Sequence, residues 1–285
     1  MLLQPYSIEE LRVAWCNRLF LRCRTHRNKP IDSLAALTPK ILGQILDPYG
    51  IHLLELATTS NEFQVMISLK PTESAFSATS KTKGRISKWL NEQMPNLKRD
   101  TKLAKGYFAV TLGDPDSKSV AAYLETQSEH HGYDQRARPP VHVQTFQYGE
   151  AERILLATDH AATSLRYHVV LATWFRRGVF TDESAGCVSE GWRELRQGFF
   201  IDKVSFVPDH VHIALTLHPT KSPMAVVESL MNIGQELMWN RYPNLVIKSA
   251  VERLWQPSAY FGSFGAIGSK AIKAYMHRWE DSHAE

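Results

Sequence analysis

The stretch "DHVHIALTLHP", residues 209–219, sets two histidines, His210 and His212, on either side of a single valine. On a β-strand successive side chains point to opposite faces. His210 and His212 then share one face, while Val211, Ile213 and Leu215 share the other. Two imidazoles side by side are ligand geometry for a metal ion. They are equally the pattern of a strand with one solvated face, and the spacing alone does not separate the two.

The same pattern occurs a second time. "NEFQVMISLKP", residues 61–71, precedes it by 148 residues and ends in the same proline. At that offset "MPNL" (94–97) matches "YPNL" (242–245), each closing an amphipathic segment. Further on, "GYFAVTLG" corresponds to "AYFGSFG" and "SVAAYLETQ" to "AIKAYMHRW", with the offset grown to about 152. Each half reads as strand, helix, strand, strand, helix, short strand, helix. In the second half these are "YHVVLAT", a helix over 187–197, "FFIDKVSFV" and "HVHIALTL" as an antiparallel pair, a helix from about Ser222 to Arg241, a short strand near Tyr260 and a last helix carrying Tyr275. In the first half they run from "RLFLRCRT" to a last helix carrying Tyr123. The order predicts an α+β chain with mainly antiparallel sheets and helices on one side. The domains expected are residues 1–135 and 161–285, joined by a polar, proline-bearing linker over 136–160.

Composition excludes several classes. The 285 residues are 44% hydrophobic and 22% charged, which suits a folded chain rather than a disordered one. Three cysteines at unrelated spacings, Cys16, Cys23 and Cys187, offer neither a disulfide framework nor a zinc knuckle. No apolar run approaches the roughly 18 residues of a membrane span, and "MLLQPYSIEELR" is unlike a signal peptide, so a cytoplasmic location is expected. A net charge of +4 permits a nucleic-acid partner. The basic residues cluster, in "RCRTHRNK" (22–29) and "SKTKGRISK" (80–88). Such patches suit a DNA backbone and equally a solvated charged face.

With "VPDHVHIAL", "YHVVLATWFRR", "YFGSFG" and "IKAYM" in one half, and "KGRISKWL", "YFAVTLG" and "AAYLETQ" in the other, the chain resembles the single-tyrosine HUH transposases of insertion sequences and their REP-associated relatives. The resemblance implies two ferredoxin-like domains in tandem, packed as an intramolecular pseudo-dimer, and a partner that is single-stranded or hairpin DNA. It also implies a divalent ion, Mg2+ or Mn2+, on the histidines, a tyrosine that takes the 5′ phosphate, and a glutamine one helical turn after the tyrosine as a further ligand. Family sites join the tyrosine helix of one protomer to the histidines of the other.

The halves differ in complementary ways. The first keeps Tyr123 and Gln127, one helical turn apart, but has Glu62, Phe63 and Gln64 at the histidine motif. The second keeps His210 and His212 but has Trp279 where the glutamine should follow Tyr275. A trans arrangement would unite His210, His212, Tyr123 and Gln127 in one composite site. Tyr123 also fits an ordinary helix aromatic, and a catalytic role for Tyr275 is the weaker of the two. His168 matches a family histidine, or packs, or touches DNA; Asp209 reads as shaping the turn. Arg22, Arg24, Arg27, Lys83, Arg85 and Lys88 are candidates for DNA phosphates, and Arg176 and Arg177, with Trp174 and Phe175, for unpaired bases. The leading function is a metal-dependent DNA strand transferase or nickase, acting as a monomeric pseudo-dimer or a homo-oligomer of it. The alternative is a domesticated, catalytically silent DNA-binding protein. A metallohydrolase would need a third ligand beside the histidines.

Overall fold

A computed structural model describes residues 4–94, 102–113, 140–195, 198–250, 252–265 and 276. In the first half β1 (Arg12–Cys16) leads into β2 (Arg18–Arg24), α1 (Asp32–Ala35), α2 (Pro39–Leu46), β3 (Ile51–Thr58), β4 (Glu62–Leu69), α3 (Ala75–Gln93) and β5 (Tyr107–Leu112). Next come β6 (His142–Thr145), α4 (Glu150–Arg153) and β7 (Ala161–Ser164). The second half follows with β8 (Arg166–Thr173), α5 (Asp182–Glu194), β9 (Phe199–Val207), β10 (His210–Leu217), α6 (Pro223–Arg241), α7 (Pro243–Lys248) and β11 (Trp255–Phe264).

The repeat is structural as well as textual: β4 and β10, and α3 and α6, begin and end at positions 148 residues apart. The match extends to irregular backbone. Gly50 and Gly198 both take positive φ, 69° and 84°, ahead of β3 and β9, a conformation that costs glycine little. The β3–β4 register shifts between Leu53 and Glu55, and the β9–β10 register shifts where Asp202 is passed over, at the equivalent residue. Ser74 and Ser222 cap α3 and α6 by accepting from Ser77 N and Ala225 N.

In each half one face of the sheet is apolar and covered by helices. Val211, Ile213 and Leu215 on β10 are buried in the same core as Val227, Leu230 and Met238 of α6, and Phe63, Val65 and Ile67 occupy the equivalent place on β4. Burying each such side chain contributes about 1.5–3 kcal/mol. The expected α+β architecture, mainly antiparallel with helices on one side, is therefore present.

The halves are interlocked. Among the described residues the strands form a six-stranded sheet, β1-β11-β8-β10-β9-β6, and a five-stranded sheet, β3-β4-β2-β5-β7. β1 leaves its own half to pair in parallel with β11, and β7 reciprocates by pairing in parallel with β5. The expected linker is thus partly built into the sheets: β6 pairs antiparallel with β9. Residues 4–10 also lie on the opposite half, where the Tyr6 hydroxyl donates to the Trp255 carbonyl at 2.8 Å and Arg253 pairs with Glu10 at 2.7 Å. Two further differences are smaller. α5 starts five residues earlier than the helix expected over 187–197, because Thr181 caps it at Ser184 N. β11 runs for 10 residues, longer than the short strand expected near Tyr260.

Side chains where β5 meets β11 close a two-fold exchange. Thr111 Oγ1 donates to the Phe264 carbonyl at 2.6 Å and accepts from Arg166 N at 2.8 Å. Ser263 Oγ donates to the Leu112 carbonyl at 2.5 Å and accepts from Arg18 N at 2.9 Å. Reciprocal contacts also join Phe76 N to the Pro219 carbonyl (2.8 Å) and Met224 N to the Pro71 carbonyl (3.1 Å). Each pair is self-complementary, as a two-fold interface requires.

Thr111 and Ser263 are 1% and 3% exposed, so truncating either hydroxyl strands buried backbone groups. Thr111→Val and Ser263→Ala should each cost about 1–3 kcal/mol in urea unfolding. Because each half supplies a strand to the other, calorimetry should show one transition; two resolved transitions would contradict the interlock.

Candidate active site

His210 and His212 stand on β10 opposite the helix-covered face, 6% and 3% exposed, with ring centroids 5.0 Å apart. Each imidazole has its Nδ1 engaged. His210 Nδ1 bonds Asp209 Oδ1 at 2.7 Å, and Asp209 Oδ2 pairs with Arg176 Nε at 2.9 Å. His212 Nδ1 bonds His168 Nε2 at 3.0 Å, the two rings stacking at 5.2 Å. Burial would raise the Asp209 carboxyl, but the hydrogen bond from His210 and the charge of Arg176 outweigh it and hold Asp209 below the ordinary range. Burial also lowers the His168 imidazole to about 4, so it is neutral at physiological pH.

Metal-binding histidines are commonly steadied from behind in this way, by a carboxylate and a second imidazole, and Nε2 would then be the ligating atom of His210 and of His212. The donor set fits a divalent metal. Among the described residues no cluster of three histidine, cysteine, aspartate or glutamate side chains could hold the ion alone. Further ligands would have to be solvent, phosphate, or an oxygen such as that of Gln127, which lies outside the described residues together with Tyr123 and Tyr275.

The backbone delivers Arg176 to this site at a cost. β8 ends in a 3₁₀ turn, Trp174–Arg176, where Phe175 and Arg176 adopt left-handed φ of 52° and 56°. Non-glycine residues enter this region rarely and with strain. The first half repeats the excursion at Arg27 and Asn28, with φ of 54° and 56°. Thr173 secures the turn, its N and Oγ1 both donating to the Asp209 carbonyl at 2.9 Å.

On the equivalent face of the first half the chemistry is different. Glu62 and Gln64 replace the histidines, Phe20 replaces His168 and Asn61 replaces Asp209. Arg22 Nε donates to both Glu62 oxygens (3.0 and 3.1 Å) and its Nη2 to Oε2 (2.8 Å). Arg24 Nε adds a contact at 3.2 Å, and Gln64 Nε2 donates to Oε1 at 2.8 Å. Burial raises the Glu62 carboxyl, yet bonds from Arg22, Gln64 and Arg24 outweigh it and hold Glu62 below its ordinary value. Nearby, Met276 is helical, 2% exposed, and packed with Phe20, Ala57, Met66 and Leu112. A residue of the second half's C-terminal segment therefore lies on the first half's sheet, against Met66 of the strand that also carries Glu62 and Gln64.

The residues expected to face DNA divide into two sets. Lys83 is turned inward, its Nζ donating to the carbonyls of Ala104 (2.6 Å) and Lys105 (2.7 Å), and burial lowers its pKa. Arg177 Nη1 donates to the carbonyls of Ser249 and Ala250, Arg176 is held by Asp209, and Arg22 by Glu62. Arg85 stacks over the Tyr49 ring at 4.1 Å. Arg24, Arg27 and Lys88 are exposed. Asp209, read from sequence as a turn residue, orients a ligand candidate; its position beside "HVH" was the available signal.

Comparison with known proteins finds the same family in both halves. The model of the family described as IS200-like transposases matches residues 16–127 and again 161–278. The chain belongs to the IS200-like transposase family. It carries two family domains in tandem. The ISDra2 transposase TnpA of Deinococcus radiodurans is 28% identical over 119 residues, covering 85% of that protein and 41% of this chain. A crystal structure described as a Deinococcus radiodurans transposase is 23% identical, with a TM-score of 0.35, covering 95% of that chain and 44% of this one. As a transposase the chain is a DNA-processing enzyme with DNA as its partner. No helix among the described residues is long and apolar enough to cross a membrane.

The Glu62 network yields a pH prediction. Its folded pKa lies below the unfolded value, so its stabilisation is present above that value, about 4.3, and is lost as pH falls towards the folded pKa. Glu62→Gln should cost about 1–3 kcal/mol at neutral pH and flatten the acid limb of a stability–pH curve.

Proposed function

We propose that the chain is a metal-dependent single-stranded DNA transposase that cuts and rejoins hairpin-marked DNA through a 5′-phosphotyrosine. One composite site serves, with His210 and His212 from the second half and Tyr123 and Gln127 from the first. Met276 carries the reading. The residue next to Tyr275 is buried against the opposite half, and the two-fold relation between halves would bring the Tyr123 helix to the histidine face in the same way.

A divalent ion, Mg2+ or Mn2+, held by Nε2 of His210 and His212 with the Gln127 oxygen, would supply Lewis-acid polarisation of the scissile phosphate. The protein's own groups do the rest. Asp209, fixed by Arg176, keeps the proton of His210 on Nδ1 and its lone pair on Nε2. The Tyr123 oxygen attacks phosphorus as its proton leaves; the bond from phosphorus to the 3′ oxygen breaks, and that oxygen departs as a hydroxyl after gaining a proton. Attack by a new 3′ hydroxyl reverses the step. One chain acts as its own pseudo-dimer and holds one 5′ end at a time.

Incubation with end-labelled hairpin oligonucleotides from the flanks of its own gene tests the reading. Tyr123→Phe and His210→Ala should abolish the covalent protein–DNA band, while Tyr275→Phe leaves it largely intact. Gln127→Ala should cost less, with partial rescue by extra metal. An adduct peptide carrying phosphotyrosine at residue 275 instead of 123 would overturn the composite site, and no adduct from any variant or the parent would point to a silent DNA-binding protein.

A second prediction isolates the carboxylate behind His210. Asp209→Ala should weaken Mn2+ binding about 10–100-fold in a direct titration. Unchanged affinity would mean that His210 needs no orienting partner.

A further inference from the structure

The strands of the first half carry two guanidinium groups beside the positions that hold imidazoles in the second. Arg22 and Arg24 stand where β8 has Val170 and Ala172, facing Gln64 and Glu62 across β2–β4 as those residues face His212 and His210 across β8–β10. We propose that this face is a second DNA site, which takes the backbone and one unpaired base of a single strand without metal and without cutting it. The inference rests on the reading that the chain handles single-stranded DNA, and it concerns the half that reading leaves without chemistry.

The charges on this face suit a phosphodiester. The Arg22 guanidinium occupies both oxygens of Glu62, in a two-point contact at 2.8–3.1 Å, and its positive charge opposes a divalent ion there. The Arg24 guanidinium reaches Glu62 through Nε at 3.2 Å, and its side chain is 60% exposed. Guanidinium is a planar, permanently charged fork of donors matched to phosphate oxygens. Glu62 fixes the orientation of both arginines, so they are set before a strand arrives.

An aromatic ring stands next to the charges. Phe108 faces Arg22 across β2–β5, is 40% exposed, and meets Phe20 edge-on at 6.2 Å and 71°. The second half has the same device. Tyr260 is 43% exposed and meets His168 edge-on at 6.1 Å and 71°. A ring held by its edge, beside cations that bind backbone, offers a face on which a base of any sequence can stack. The first half therefore has the same stacking geometry, with guanidinium groups beside it where the second half has imidazoles.

The test uses the full chain in EDTA with a single strand carrying 5-iodouracil, irradiated and mapped by peptide mass. We expect cross-links to Phe108 that disappear in Phe108→Ala. For Arg24→Gln we expect weaker binding and a salt slope, log K against log salt, shallower by about 0.7, with Arg24→Lys closer to the parent. Melting temperatures of the variants, both at exposed positions, check the fold. Cross-links confined to the second half, unchanged binding in both variants, or no binding of a single strand in EDTA would each overturn the proposal. The Tyr123 adduct assay is separate: adduct formation without a Phe108 cross-link rejects this site alone, and a Phe108 cross-link without adduct rejects the catalytic reading alone.

Discussion

Two hydroxyls bonded to two carbonyls, Thr111 to Phe264 and Ser263 to Leu112, set the relation between the halves on which the rest depends. The donors are buried, and each also accepts a backbone N–H at the start of the other half's first central strand, so the four groups satisfy one another and have no good alternative register. Gly113 sits beside this junction, where a side chain would run into the backbone of Ser263 and Phe264. Close approach is thus a condition of the exchange. With the axis fixed here, the reciprocal pairing of β1 and β7 and the position of Met276 follow as parts of one geometry.

The strand period explains how the halves could share a scaffold and differ in chemistry. Residues that face the helices, Val211 and Ile213 in one half and Val65 and Ile67 in the other, carry the burial energy and stay apolar. The alternate positions near the start of β4 and β10 are polar: Glu62 and Gln64 in one half, His210 and His212 in the other. Where the second half has His210 and His212, the first has Glu62 and Gln64, a difference in charge that the fold tolerates because the buried polar atoms find partners in Arg22 and Arg24. The partners of the buried carboxylate lie on the same face, on the neighbouring strand β2.

Much of this was legible in the sequence because it depends on local period. The alternation in "HVHIALTL" gave β10 and its two faces, and the offset of 148 carried the assignment to β4, α3 and α6. What escaped depends on partners far along the chain. "RVAWC" has no alternation that marks a strand, because its pairing is to β11, some 240 residues on, and β7 is similarly short and paired with β5. The role of Asp209 required knowing that a left-handed turn 33 residues earlier would bring Arg176 to it. Lys83 looked like part of a basic patch because a sequence does not reveal that carbonyls of residues 104 and 105 converge on its ammonium. The helix expected over 187–197 begins at Asp182 instead, where Thr181 caps Ser184 N; the apolar positions that suggest a helix start only later, at Cys187 and Val188.

The cluster in which Met276 meets Phe20, Ala57, Met66 and Leu112 joins the second half to the sheet of the first. Between separate subunits, such a contact exists only while enough molecules are present to find each other, and dilution takes it apart. Joined in one chain, the second half is always at a high effective concentration for the first. The contact then forms with first-order kinetics, and bringing the two halves together needs no encounter between molecules.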